Sequence, residues 1–243
     1  FSPSKGSACR TPCRAMAIAL QGVRQAAPLL GENVAVIGLG MIGQLTVQLL
    51  KANGCKVLGC DIDSAKLELA RELGADAVCS PGDLPRAGQE FSSGYGVDSV
   101  IVTASTSSNQ PVTDAGEIAR KRGKVVVVGM VGMDIPRNVY YRKELDVRMS
   151  MAYGPGRYDP VYEEKGIDYP YAYVRWTEQR NFEAFLGLVA AGKVSPGKLV
   201  THRFDFGDAL QAYELLEGKE RYLGIVLRYP GSARYEVRGA GSV

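Results

Sequence analysis

Met16, Leu20, Val23 and Ala27 recur at three- and four-residue intervals, the spacing of one helix face, which predicts a helix from about Ala15 to about Pro28. Asn33 to Ile37 (NVAVI) reads as a short β-branched strand ending in glycine, and Ile42 to Ala52 (IGQLTVQLLKA) returns to the helical period. Cys55 to Cys60 is a second strand, Ser64 to Leu73 a further helix closed by Gly74, and Ala77 to Cys79 a short third strand. Near-continuous apolar sequence at Asp98 to Val102 and Lys124 to Val128 marks strands buried on both faces, with a helical stretch around Val112 to Lys121 between them. Leu145 to Tyr153 (LDVRMSMAY) alternates and is more polar, as a sixth strand near a sheet edge would be.

Strands that alternate with helices predict an α/β fold: a doubly wound parallel sheet with right-handed crossovers and helices on both faces. Gly154 to Pro170 is dense in Gly, Pro, Tyr and acidic residues and reads as a long surface loop. A helix at Asn181 to Ala191, a strand at Leu199 to Phe204, a helix at Gly207 to Leu216 and a last strand at Gly224 to Tyr229 form a small C-terminal helix/strand extension. The ends show no period: residues 1–14 read as an irregular or foreign segment and 230–243 as a linker-like tail.

Composition narrows the class without changing the fold. The 243 residues are 46% hydrophobic and 23% charged, which suits a globular chain with an ordinary core. Lys and Arg number 29 against 26 Asp and Glu, a net charge of +3 spread along the chain, so nucleic acid is not an expected partner. The apolar run Val125 to Met133 is far shorter than the roughly 20 residues of a bilayer span, and no membrane association is expected. Five cysteines at unrelated spacings suit a reducing compartment, with the cytoplasm as the expectation.

The candidate chemistry sits in GLGMIG, where Gly38, Gly40 and Gly43 form G-x-G-x-x-G directly after the first strand and at the opening of the next helix. Gly38 permits the tight turn, Gly40 lets main chain approach a pyrophosphate, and Gly43 allows close helix–strand packing. Met41 and Ile42 complete the turn, and the helix start offers unpaired N–H groups to phosphates. Asp61 ends the second strand 18 residues past Gly43, where a carboxylate accepts the ribose hydroxyls of adenosine and repels a 2′-phosphate, so NAD is expected over NADP. Asp63 is a competing acid, Ile62 lies between the two, and Lys66 could reach the ribose from the next helix. Thr103 and Ala104 end the fourth strand and Gly129, Met130 and Val131 the fifth, bordering the crevice expected for nicotinamide.

From about Ala17 to Tyr229 the sequence resembles the medium-chain, zinc-containing alcohol dehydrogenase superfamily, carried by GENVAVIGLGMIGQLTVQLLKANGCKVLGCDIDSAKLELARELGADAV, GKVVVVG and VTHRFDFGDALQAYELLEGK. The resemblance implies a Rossmann domain over 15–155, with GLGMIG as the dinucleotide turn and Asp61 and Lys66 as ribose contacts. YGPGRYDPVYEEKGIDYPYAYVRWTEQRNFEAFL is similar to one subgroup, bi-domain oxidoreductases that carry a second domain of the Gfo/Idh/MocA kind, and YEVRGAGSV resembles the linker before it. On that resemblance the chain is a fragment, and residues 156–229 return toward an absent catalytic domain that would hold the zinc. Cys13 lies 25 residues ahead of Gly38, close to where many members place their last zinc ligand, but one cysteine without partners binds zinc poorly. His202, the single histidine, reads as structural.

The implied function is hydride transfer between NAD(H) and an alcohol, carbonyl or sugar-like small molecule. Relatives pair the sixth strand with a second subunit, so a homodimer through Leu145 to Tyr153 is expected. Two other functions fit the same frame: a regulatory module that senses NAD(H) without catalysis, and a methyltransferase using S-adenosylmethionine, which the regular glycine spacing disfavours. Tyr153, Tyr158, Tyr162, Tyr169, Tyr171 and Tyr173, with Arg157 and Arg175, either pack the long loop onto the sheet or line a contact surface.

Overall fold

The computed structural model describes residues 10–218 and 220–230, with side chains from Arg14 onward. The N-terminal segment up to Cys9 and the tail beyond Pro230 lie outside these. Contacts divide the described residues into Arg10–Pro196 and residues 197–230.

Within the first unit, β1 (Asn33–Ile37), β2 (Lys56–Cys60), β3 (Ala77–Cys79), β4 (Val97–Val102), β5 (Ala119–Val127) and β6 (Asp146–Met149) make one sheet in the order β3-β2-β1-β4-β5-β6. Every pairing is parallel. This is the doubly wound arrangement the pattern predicts. Neighbouring residues of a strand face opposite ways and feed two separate cores. Val34, Val36, Val57, Ile101 and Val126 pack with α1 (Arg10–Ala26), α2 (Met41–Ala52) and α3 (Ser64–Glu72). Ala35, Ile37, Leu58, Val100, Val102, Val125 and Val127 pack with α4 (Leu84–Phe91), α5 (Gln110–Ile118) and α6 (Arg137–Lys143). The fully covered stretches, Val34–Ile37, Val100–Val102 and Val125–Val127, are continuously apolar, which is why they stood out in the sequence.

Several boundaries differ from the sequence reading. The first helix ends at Ala26 rather than Pro28, and α4 and α6 carry no sufficiently long period to be seen. Helix α5 stops at Ile118, not Lys121, and β5 begins at once at Ala119. Lys143 accounts for that stop: its Nζ donates to the carbonyls of Gly116, Glu117 and Ala119 at 2.9, 2.6 and 2.7 Å, taking the acceptors a further helical turn would use. The sixth strand is four residues long rather than nine. After Ser150 donates to Val127 O at 2.9 Å the ladder ends, and the chain turns at Ala152 (φ +41°) and Gly154 (φ +92°).

Beyond β6 the loop holds a short helix α7 (Pro160–Glu163), then α8 (Glu178–Ala190), which starts three residues earlier than expected. In the second unit β7 (His202–Asp205) and β8 (Ile225–Arg228) pair in parallel around α9 (Ala209–Glu217). The strand expected at Leu199 starts at His202, because Pro196–Leu199 forms a 3-10 turn. Among the described residues no helix is long and apolar enough to cross a membrane.

Candidate functional site

Parallel strands bring the carboxyl ends of β1, β2, β4, β5 and β6 to one edge of the sheet, and the residues singled out in the sequence follow those ends. The three glycines of the turn meet different surroundings. Gly38 has φ +94°, and a Cβ there would lie 2.5 Å from Ala104 N, so both conformation and space demand glycine. At Gly43 a Cβ would lie 2.0 Å from Gly38 O. These two glycines let β1, β4 and α2 come together. Gly40 is unlike them: its φ of −67° suits any residue, and a Cβ would meet no atom within 4 Å.

Gly40 is the N-cap of α2 and offers no side-chain cap. The first helical bond runs from Gln44 N to Gly40 O at 2.9 Å, so the N–H groups of Met41, Ile42 and Gly43 precede the helical ladder. Together with the helix dipole they make an electropositive end facing open space.

Asp61 is only 8% exposed. Its Oδ2 accepts from Leu39 N at 2.6 Å and its Oδ1 from Asp63 N at 2.9 Å, so the carboxylate ties the glycine turn to the end of β2. Lys66 Nζ lies 3.9 Å from Asp61 Oδ1. Asp63 is the N-cap of α3, accepting from Ala65 N at 3.0 Å, and so serves the helix start. Ile62 and Met130 are exposed apolar side chains at this edge, at 88% and 80%. Thr103 Oγ1 donates to Gly38 O, and Gly129 packs so closely on Ala104 that a Cβ would sit 2.0 Å from its carbonyl oxygen. Val131 packs against the core.

Gln44 was not singled out from the sequence. It is fully buried, and its Nε2 donates to Leu39 O at 3.2 Å and Lys66 O at 2.8 Å, joining the turn to α3. The signal was present: Gln44 and Gln48 stand four apart on a helix whose neighbours are apolar, and Gln48 Oε1 accepts from Ser195 N at 2.7 Å.

Past β6, the tyrosine-rich loop divides. Tyr153 is buried, whereas Tyr158, Tyr171 and Tyr173 are exposed. Glu163 accepts from the Tyr153 hydroxyl and from Arg157 Nη1 at 2.6 Å, and these donors hold its carboxyl below the usual range. Tyr169 donates to Asp159 and likewise lowers that carboxyl, and the Tyr169 ring stacks on Tyr162 at 5.8 Å. Arg24 of α1 donates to Asn181 Oδ1 at 2.8 Å and lies 3.2 Å from the Trp176 ring centroid; burial, then Arg175, pushes its pKa down to about 10. Burial pushes the Glu178 carboxyl up.

No group of three His, Cys, Asp or Glu side chains among the described residues could hold a metal ion. Cys55, Cys60 and Cys79 are buried free thiols, and the hydrogen bond with its in-register neighbour Cys79, together with burial, keeps Cys60 protonated. His202 Nδ1 lies 2.9 Å from Thr201 Oγ1 and Nε2 3.2 Å from Glu220 Oε1, a local structural arrangement.

Residues 41–164 match the model of the zinc-binding dehydrogenase family. A D-xylulose reductase A of Aspergillus oryzae is 31% identical over 215 residues, covering 84% of this chain and 52% of that protein. Among solved structures, the 2R,3R-butanediol dehydrogenase of Bacillus subtilis superposes with a TM-score of 0.70 at 25% identity, over 89% of this chain and 56% of that one. A protein described as a zinc-binding dehydrogenase from Sinorhizobium meliloti, bound to NADP, shares the fold with a TM-score of 0.67 at 24% identity, over 89% of this chain and 57% of that one. The chain spans about half the length of the curated relatives it matches. With the glycine turn inside the matched segment or directly before it, the sequence and the fold agree: this chain belongs to the zinc-binding dehydrogenase family.

Proposed function

We propose that this chain is the NAD(H)-binding part of an oxidoreductase acting on an alcohol, carbonyl or sugar-like small molecule. Gly40 carries the reading. Neither its backbone conformation nor its surroundings require glycine, so a bare main chain there serves something outside the protein, in front of the unpaired N–H groups of α2. Bound coenzyme supplies the hydride donor or acceptor.

The chain's own groups divide the work. The N–H groups of Met41, Ile42 and Gly43 receive the pyrophosphate, and Asp61 with Lys66 receives the adenosine ribose. Each Asp61 oxygen already accepts one main-chain N–H and retains a lone pair for a hydroxyl, while its charge disfavours a 2′-phosphate, hence NAD over NADP. Exposed Ile62 offers an apolar flank to the adenine side. Thr103, Ala104, Gly129, Met130 and Val131 border the nicotinamide side. The described residues provide no group of three His, Cys, Asp or Glu side chains to hold zinc.

Titration with NADH, followed by nicotinamide fluorescence, should saturate below millimolar coenzyme, with NADPH weaker. Gly40→Ala should weaken NADH about tenfold while leaving the melting temperature nearly unchanged. A flat titration at millimolar NADH overturns the reading.

The edge strand β6 leaves one ladder side without a partner strand among the described residues, and we infer that two copies pair there. Light scattering showing a monomer at micromolar concentration refutes this.

A further inference from the structure

The first turn of α2 buries an amide where an apolar side chain would pack. Gln44 is fully buried, on a helix that also buries Gly43, Leu45 and Val47. Taking an amide out of water is costly unless hydrogen bonds offset it, so the partners of that amide say what it is for.

Those partners lie in two segments that the coenzyme reading requires in fixed relation. Gln44 Nε2 donates to Leu39 O at 3.2 Å, inside the glycine turn, and to Lys66 O at 2.8 Å, in the first turn of α3. Both acceptors are main-chain carbonyls, which settles which end of the amide is the donor and makes it answer to backbone position. The helical pattern of α3 gives Lys66 O a partner in any case, from Ala70 N, so the added bond fixes where α3 starts and not whether it forms.

From its other side Leu39 is held by Asp61, whose Oδ2 accepts from Leu39 N at 2.6 Å. Lys66 returns to the same carboxylate, with Nζ 3.9 Å from Oδ1. Asp61, Leu39, Gln44 and Lys66 thereby close a circuit around the end of β2. Gln48, the next buried amide along α2, bonds elsewhere: its Oε1 accepts from Ser195 N at 2.7 Å.

We propose that Gln44 is a positioning residue for the adenosine ribose: buried and out of reach of any ligand, it sets the spacing of Asp61 and Lys66 by tying Leu39 to the start of α3. This rests on the NAD(H) reading above and extends it to a side chain inside the core. With the tie cut, α3 carries Lys66 away from Asp61, and the two groups no longer meet the ribose hydroxyls together.

Gln44→Met keeps the length and volume of the side chain and loses both donor bonds. Titrated with NADH by nicotinamide fluorescence, it should bind about tenfold more weakly than the unaltered chain. Two comparisons separate position from mere loosening of the core. Gln48→Met removes a buried amide from the same helix and should leave NADH affinity within about twofold. In a Lys66→Met background, where no ammonium remains to be placed, Gln44→Met should weaken NADH by less than a further factor of about two. A loss undiminished by Lys66→Met, an equal loss in Gln48→Met, or a folded Gln44→Met that binds NADH normally each overturns the proposal. Should Gln44→Met not fold, the unaltered chain decides. Its Gln44 side-chain amide signals in NMR should shift on saturation with ADP-ribose and stay in place with nicotinamide mononucleotide, which lacks the adenosine. Signals that ignore ADP-ribose, or answer the mononucleotide equally, overturn the role of Gln44. Failure of the unaltered chain to bind NADH sinks the coenzyme reading and this inference with it, whereas NADH binding that is indifferent to Gln44 sinks this inference alone.

Discussion

The glycine turn and the loop after β6 share one edge of the sheet but present polar groups in opposite ways. In the turn, main chain does the work: side chains are absent at Gly38, Gly40 and Gly43, and the groups on offer are N–H donors at a helix start. In the loop, side chains hold one another: Glu163 holds its near neighbours Tyr153 and Arg157, and Asn181 holds the sequence-distant Arg24. A site made of main chain tolerates no added atoms. One made of paired side chains is instead sensitive to their state of charge.

The largest effect that would test this contrast is Gly43→Ala, whose Cβ would press on Gly38 O, with Gly38→Ala close behind because of its positive φ. Each should cost on the order of 3 kcal/mol or more in urea denaturation, against little or none for Gly40→Ala. Equal losses at all three positions would erase the distinction between packing glycines and the open one.

A smaller effect is expected from acid. Glu163 is held below the ordinary carboxylate range by Tyr153 and Arg157, and Asp159 by Tyr169. Carboxyls depressed in this way stabilise the folded loop above their unfolded pKa of about 4, and the contribution fades as pH falls through the lower folded values. Trp176 emission should therefore change below about pH 4 while far-ultraviolet circular dichroism still reports an intact sheet. The smallest effect belongs to Glu163→Gln, which should shift that emission at neutral pH and flatten its acid response. Simultaneous loss of both signals would mean that the loop and sheet unfold as one.

The same contrast explains what could be read from the sequence. Strands β1 and β3 had their observed limits because turns mark their ends, and β1 is also buried along nearly its whole length. The glycine turn was visible because close packing fixes glycine at set spacings. The region after β6 was legible as a loop but its internal order was not, since Glu163 answers to Tyr153 and Arg157 through contacts that periodicity cannot encode, and α7 is a single turn started by Asp159 accepting from Val161 N. The end of α5 depended on Lys143, 25 residues further on. Asp61 was read from the sequence as a ribose acceptor, whereas its bonds to Leu39 and Asp63 emerged only from three dimensions.

On the proposed coenzyme reading, those two bonds give Asp61 a double duty that constrains how the protein can diverge. Replacing it to admit a bulkier nucleotide would also release Leu39 N and Asp63 N, loosening the glycine turn that the carboxylate ties to the end of β2. On the proposed reading, any lineage that switched coenzyme by this route would need a compensating anchor for that turn, which would tie selectivity to architecture.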